Sequence, residues 1–116
     1  MQIGVVTLFP EMFAALTDYG ISSRAIQNEL VSLEFWNPRN YATDKHRMVD
    51  DKPFGGGPGM LMKTEPLVAS IQAAKEGVRQ GPLAQAIQQA KVIYLSPQGK
   101  PLRQAHIAEL AKRPNM

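Results

Sequence analysis

Two short apolar runs, at residues 3–8 and 31–36, are separated by residues that repeat at helical spacing, and this alternation restricts the chain to few architectures. Residues 3–8 form a compact β-branched strand closed by Phe9-Pro10, where proline withdraws a backbone donor from the ladder. Pro10 opens a helix over 11–19, with Met12, Phe13 and Leu16 at helical spacing and Gly20 as its stop. Ser22 or Ser23 caps a second helix that sets Ala25, Ile26 and Leu30 on one face. Residues 31–36 then alternate Val, Leu and Phe against Ser, Glu and Trp, as a strand does.

Asn37-Pro38 ends that strand, and residues 38–60 read as a long loop of the kind that carries function, because ordering so much backbone without core burial is costly. A helix follows over 64–75, with Thr64 as cap, Pro66 in the first turn, and Leu67, Val68, Ile71 and Ala74 as apolar positions. Residues 76–89, with Gly77 and Gly81-Pro82, suggest a softer surface connection. A strand over 91–95, a sharp turn at 96–99 and a helix over 102–111 complete the pattern, and residues 112–116 arrive where another buried strand is expected. Strands alternating with helices give an α/β fold, a mainly parallel sheet with flanking helices.

The 116 residues, 44% apolar and 20% charged, suit one globular core and contain no long apolar span. The first ten residues lack a basic region and a small-residue cleavage site, so the expectation is a cytoplasmic protein without a membrane partner. The absence of cysteine excludes disulfides, thiolate nucleophiles and Cys-ligated zinc. His46, in a charged stretch, and His106, on the last helix, lie too far apart in sequence to argue for a metal site. The net charge of +3 permits contact with phosphate, but the cations are dispersed and do not by themselves name nucleic acid.

The stretch 49–60 holds four glycines and two prolines, a backbone that can approach a flat ligand or a phosphate closely. It lacks the Gly-Lys-Ser/Thr of a phosphate loop and the Gly-x-Gly-x-x-Gly of a dinucleotide fold. Composition alone favours a turn-rich connection, and Asp50-Asp51 can bind a cation, accept from a base edge or sit in water. Tyr94, Leu95, Ser96, Pro97, Gln98 and Gly99 stand at the carboxyl end of an expected strand, where open α/β sheets bind ligands; an ordinary strand-to-helix turn is the plainer reading. Arg24, Arg39, Lys45, Arg47 and Lys52 are interleaved with Trp36, Tyr41 and Phe54, which suits structured RNA or, equally, a solvated face, with Trp36 and Phe54 expected to be buried.

In order and spacing, Leu8-Phe9-Pro10-Glu11-Met12-Phe13, Asp18-Tyr19-Gly20-Ile21, Arg24-Ala25, Asn37-Pro38-Arg39, Val49-Asp50-Asp51, the run from Pro53 to Met60, and Tyr94-Leu95-Ser96-Pro97-Gln98-Gly99 together resemble the bacterial tRNA (guanine-N1)-methyltransferases. The resemblance covers nearly the whole chain. It implies a SPOUT-like domain with a deep trefoil knot, a homodimer, and methyl transfer from S-adenosylmethionine to N1 of the guanine 3′ to the tRNA anticodon. Tyr94, Leu95, Ser96, Pro97, Gln98 and Gly99 match the first of three segments that wrap the cofactor. Pro58 and Gly59 match residues near the target guanine, and Arg24, His46 and Asp50 match positions tied to activity or tRNA contact.

The resemblance further implies that residues 1–116 are the N-terminal part of the methyltransferase domain. The knot-completing segments, the catalytic base and the C-terminal tRNA-binding domain are then missing from this chain. The expectation is therefore that the polypeptide alone is inactive, with no catalytic residue and no metal of its own. Two other readings stand beside it: a non-enzymatic tRNA-binding module, and a phosphate-binding nucleotidase that lacks the lysine and hydroxyl such loops use.

Overall fold

The computed structural model describes residues 1–81 and 90–116. Strand β1 (Gln2–Val6) pairs in parallel with β2 (Ser32–Trp36), from Gln2 opposite Ser32 to Val6 opposite Trp36. The other edge of β1 is also used. Gln2 N–H donates to Pro114 O (2.8 Å), Met116 N–H to Gln2 O (3.0 Å) and Gly4 N–H to Met116 O (2.7 Å), a parallel bridge of Gln2 to Asn115. This is a single bridge and not a further strand, and it leaves β1 between β2 and residues 114–116.

The crossover between β1 and β2 is more broken than the periodicity suggests. In place of one helix over 11–19 there is a 3-10 turn (Pro10–Phe13) and a single α-turn, α1 (Ala14–Thr17). Pro10 favours the first turn, but Met12 and Leu16 are exposed and give that segment little to pack on. Gly20 is not a terminator: at φ +69° it swings the backbone into α2 (Gly20–Gln27) and is that helix's first residue. Neither Ser22 nor Ser23 caps; Tyr19 is the N-cap, and the Ser22 hydroxyl donates back to Tyr19 O (3.3 Å).

Helix α3 (Thr64–Gln80) is longer than expected and covers one face of the sheet. Its cap is Lys63, not Thr64, and its buried positions are Pro66, Ser70, Ala74 and Val78, a four-residue repeat. Leu67 and Ile71 are half-buried and Val68 is exposed, so the packed face is rotated from the apolar stripe of the sequence. Near the C-terminal end of that helix Trp36 occupies the space beside Gly77. A β-carbon on Gly77 would meet Trp36 Cζ2 at 2.2 Å, and one on Gly4 would meet Val78 Cγ1 at 2.7 Å and Trp36 Cζ3 at 3.0 Å. Gly77 is therefore a packing residue inside α3, not part of a soft connection; the rest of that expected connection, residues 82–89, lies outside the described residues. On the opposite face of β2, Phe35 meets Phe13 with ring centroids 5.2 Å apart at 53°. Helical segments on both faces of a parallel sheet are the α/β arrangement that the alternation of elements predicts.

The expected strand at 91–95 does not form. Val92, Ile93, Tyr94 and Leu95 have strong strand propensity but are exposed, and propensity yields a strand only where a neighbour offers a ladder. The following helix, α4, is confined to Gln104–Leu110. No helix among the described residues is long and apolar enough to cross a membrane.

Candidate functional site

The segment read as a long loop is partly structured. Asn37 receives Arg39 N–H on Oδ1 (2.9 Å) and donates Nδ2 to Leu8 O (3.3 Å), which ties a second 3-10 turn (Pro38–Tyr41) to the end of the first strand. Asp44 then organises a turn of its own. Its carboxylate accepts from the backbone of His46 (3.1 Å) and Met48 (3.0 and 3.1 Å), and Arg47 closes the turn at φ +49° with its N–H on Asp44 O (3.1 Å). The Met48 amide is the main reason the Asp44 carboxyl titrates below its ordinary value; the amides of Asp44 itself and His46 and the charge of Lys63 add to the effect, against a partial loss of hydration. The guanidinium of Arg39 donates to Arg47 O (3.4 Å), so the turns at 38–41 and 44–48 are linked.

Immediately beyond, β3 (Asp50–Asp51) and β4 (Leu61–Met62) pair antiparallel, Asp50 opposite Met62 and Asp51 opposite Leu61. The glycine-rich stretch is therefore the tip of a β-ribbon, where composition had suggested a simple connection. The ribbon is anchored at its base by Val49, which is fully buried and accepts Lys63 N–H at 2.7 Å. Gly55, Gly56 and Gly59 hold φ of +83°, +77° and +88°, values that side chains with a β-carbon rarely adopt.

Of the expected site residues, Asp50 is half-buried at the base of the ribbon, and Pro58 and Gly59 are exposed on its tip. His46 is exposed in the Asp44 turn, and Arg24 is exposed on α2. Ser96, Pro97, Gln98 and Gly99 do form the expected sharp turn: Gly99 N–H donates to Ser96 O (2.9 Å) and Gln98 N–H to Ser96 Oγ (3.2 Å). Tyr94 and Leu95 before it are 86% and 87% exposed. Among the described residues no hydrogen bond or ion pair joins this turn to Arg24, His46, Asp50, Pro58 or Gly59. The cavities of 390 Å³ beside Met1 and Pro114 and of 200 Å³ beside Lys75 and Arg79 contain none of these residues.

Two features escaped the sequence. Phe54, expected to be buried, is wholly exposed at 105%; its signal was the absence of any apolar partner among the glycines and prolines beside it. His106 is exposed on the last helix and also accepts Arg103 N–H on Nδ1 (3.2 Å) at the start of α4, a cap that its place three residues into the helix could have suggested.

The parallel α/β sheet, with a ribbon after β2 and a tight turn ahead of α4, matches a solved methyltransferase in fold and belongs to the SPOUT-like fold class. The family model described as "tRNA (Guanine-1)-methyltransferase TrmD" matches residues 1–116, and the chain belongs to that family. It is 56% identical over 111 residues to the tRNA (guanine-N(1)-)-methyltransferase of Klebsiella pneumoniae (strain 342), covering 96% of this chain and 40% of the relative. It is 53% identical over 116 residues to the protein of the same name from Serratia proteamaculans (strain 568), covering 100% and 42%. The crystal structure of tRNA (m1G37) methyltransferase from Aquifex aeolicus superposes with a TM-score of 0.75 at 29% identity, over 100% of this chain and 48% of that one. The chain thus spans about 40% of the length of its curated relatives.

Proposed function

We propose that this chain is the N-terminal portion of an enzyme that transfers a methyl group from S-adenosylmethionine to N1 of the guanine 3′ to the anticodon of tRNA. The observation that carries this reading is the match of the family model across residues 1–116. The two exposed surfaces suit the two substrates in kind. Tyr94 and Leu95, with the tight turn of Ser96, Pro97, Gln98 and Gly99, offer an apolar wall beside backbone polar groups, as an adenosyl group requires. A β-carbon on Gly99 would approach Ser96 O to 3.0 Å, so a bare residue keeps that turn tight. S-adenosylmethionine supplies an electrophilic methyl on its sulfonium.

The ribbon tip with Pro58 and Gly59 borders the target base in this reading, and Arg24, His46 and Asp50 contact or position the tRNA. Guanine N1 is a weak nucleophile until its proton leaves, so the complete site needs a base and a group that stabilises charge on O6. We place that base in the part of the relatives that this chain does not span. The complete enzyme is proposed to be a cytoplasmic homodimer, and exposed Met12, Leu16, Tyr19 and Ile21 offer apolar area for such contacts.

The test is transfer of labelled methyl to tRNA by the complete polypeptide and by residues 1–116 alone. Transfer by the complete polypeptide that disappears when the guanine 3′ to the anticodon is replaced supports the reading. Cofactor-independent tRNA binding without transfer by the complete polypeptide favours the non-enzymatic binding module, and robust transfer by residues 1–116 alone overturns the placement of the base.

A further inference from the structure

The ribbon tip presents one aromatic ring with nothing packed on it. Gly56 N–H donates to Pro53 O (3.0 Å), which makes Phe54 and Gly55 the central residues of a β-turn. Gly55 at φ +83° gives the third position of that turn its left-handed conformation, the geometry of a type II turn with Phe54 in second place. The turn is held by the Asp50–Met62 and Asp51–Leu61 pairs and by buried Val49 at the base of the ribbon. Phe54 is 105% exposed, although a phenyl ring in water forgoes roughly 2 kcal/mol or more of burial energy. A ring fixed at the apex of an ordered turn, and left bare, is placed to meet a partner.

The neighbours of Phe54 in the turn are Lys52, Pro53, Gly55, Gly56 and Gly57. Glycines leave both ring faces unobstructed, and the exposed apolar residues of the ribbon, Met60, Leu61 and Met62, lie at or next to β4 and not in the turn itself. A single flat ring with open faces is complementary to another flat ring. Lys45, Arg47 and Lys52, all exposed on the same stretch of chain, suit the phosphates that accompany one.

We propose that Phe54 is a base-stacking residue, its ring lying on an unpaired base of the tRNA near the methylation site. This rests on the reading of the chain as part of a tRNA methyltransferase. Stacking needs only a π-face, so the contact contributes affinity and positioning without reading base identity.

The experiment uses the complete polypeptide with Phe54→Ala, Phe54→Leu, Phe54→Tyr and Phe54→Trp. Affinity for unmodified tRNA is measured by anisotropy at several salt concentrations, together with KM, kcat, thermal midpoint and oligomeric mass. Phe54→Ala and Phe54→Leu are expected to weaken tRNA binding by about 5- to 150-fold, the equivalent of roughly 1–3 kcal/mol of stacking. Phe54→Tyr and Phe54→Trp are expected to restore it, with the salt slope unchanged throughout because the ring displaces no counterions.

Three results overturn the proposal: Phe54→Leu binding tRNA as well as Phe54→Tyr does; Phe54→Ala leaving binding intact; or Phe54→Ala lowering the thermal midpoint or oligomeric mass along with binding, which would seat the ring, with Met60 and Leu61, on protein. If the wild-type polypeptide methylates tRNA and Phe54→Ala matches it, this inference alone fails. If the wild type neither binds nor methylates tRNA, the functional reading beneath it fails as well.

Discussion

The indole of Trp36 lies against the bare Cα of Gly77, so close that a β-carbon there would sit 2.2 Å from Cζ2. Gly77 is in the interior of α3, where replacing glycine by alanine ordinarily gains about 1 kcal/mol of helix propensity. Overpacking costs about 1–3 kcal/mol and wins here, because Trp36 is also confined by Gly4. Gly77→Ala is therefore expected to lower the urea midpoint, and adding Trp36→Leu to recover part of the loss. An unchanged or raised midpoint for Gly77→Ala would show that the ring can move aside.

Asp44 gives the loop an acid-sensitive turn. Hydrogen bonds to its carboxylate, led by the Met48 amide, put its folded-state value below the ordinary 3.8. The stabilisation it contributes is then fully present above pH 3.8 and is lost as pH falls through the lower folded value. The amide resonances of His46 and Met48 should shift together in that acid window, and Asp44→Asn should abolish the transition. Resonances that move only nearer neutrality would assign the turn's titration to another group.

Gln2 is fully buried and donates Nε2 to Glu34 Oε1 at 2.6 Å across the sheet. Gln2→Leu leaves the half-buried carboxylate without that donor, a loss of about 1–3 kcal/mol. The double change with Glu34→Leu removes both partners and should be less destabilising than Gln2→Leu alone. Additive losses in a denaturation cycle would rule out the coupling.

Gly59 at φ +88° cannot accept a β-carbon without backbone strain of roughly 1–3 kcal/mol. The tip is exposed and carries no core, so it can shed that strain by shifting locally, and Gly59→Ala should scarcely alter the thermal midpoint of the complete polypeptide. If the tip borders the target base, kcat/KM for tRNA should fall by about tenfold or more, the equivalent of roughly 1.4 kcal/mol. Retained activity would remove Gly59 from the site.

The parallel pairing of β1 with β2, the helix opening near Thr64 and the turn from Ser96 to Gly99 were all legible in the sequence, since each depends on local pattern and on proline or glycine at a fixed place. The buried face of α3 was not, because small or polar Pro66, Ser70 and Ala74 occupy it and Gly77 is required by the shape of Trp36, so hydrophobicity does not mark it. The β3–β4 ribbon was hidden because two-residue strands carry no periodicity. Residues 91–95 misled in the other direction: their composition specifies a strand, but no strand among the described residues pairs with them. The site residues were recognisable only as an ordered set of motifs. Taken singly, Arg24, His46 and Pro58 are indistinguishable from ordinary surface.

Because β1 has β2 on one side and Pro114–Met116 on the other, β1 is made before either neighbour and is completed only after residues 114–116 follow. After β2 has been made, β1 must wait through the synthesis of residues 37 to 116, about 4–16 s at roughly 5–20 residues per second, with one edge unpaired. For that interval Gln2 and Gly4 expose a ladder on which any passing strand can grow. That edge is covered only when Pro114 and Met116 supply its partners.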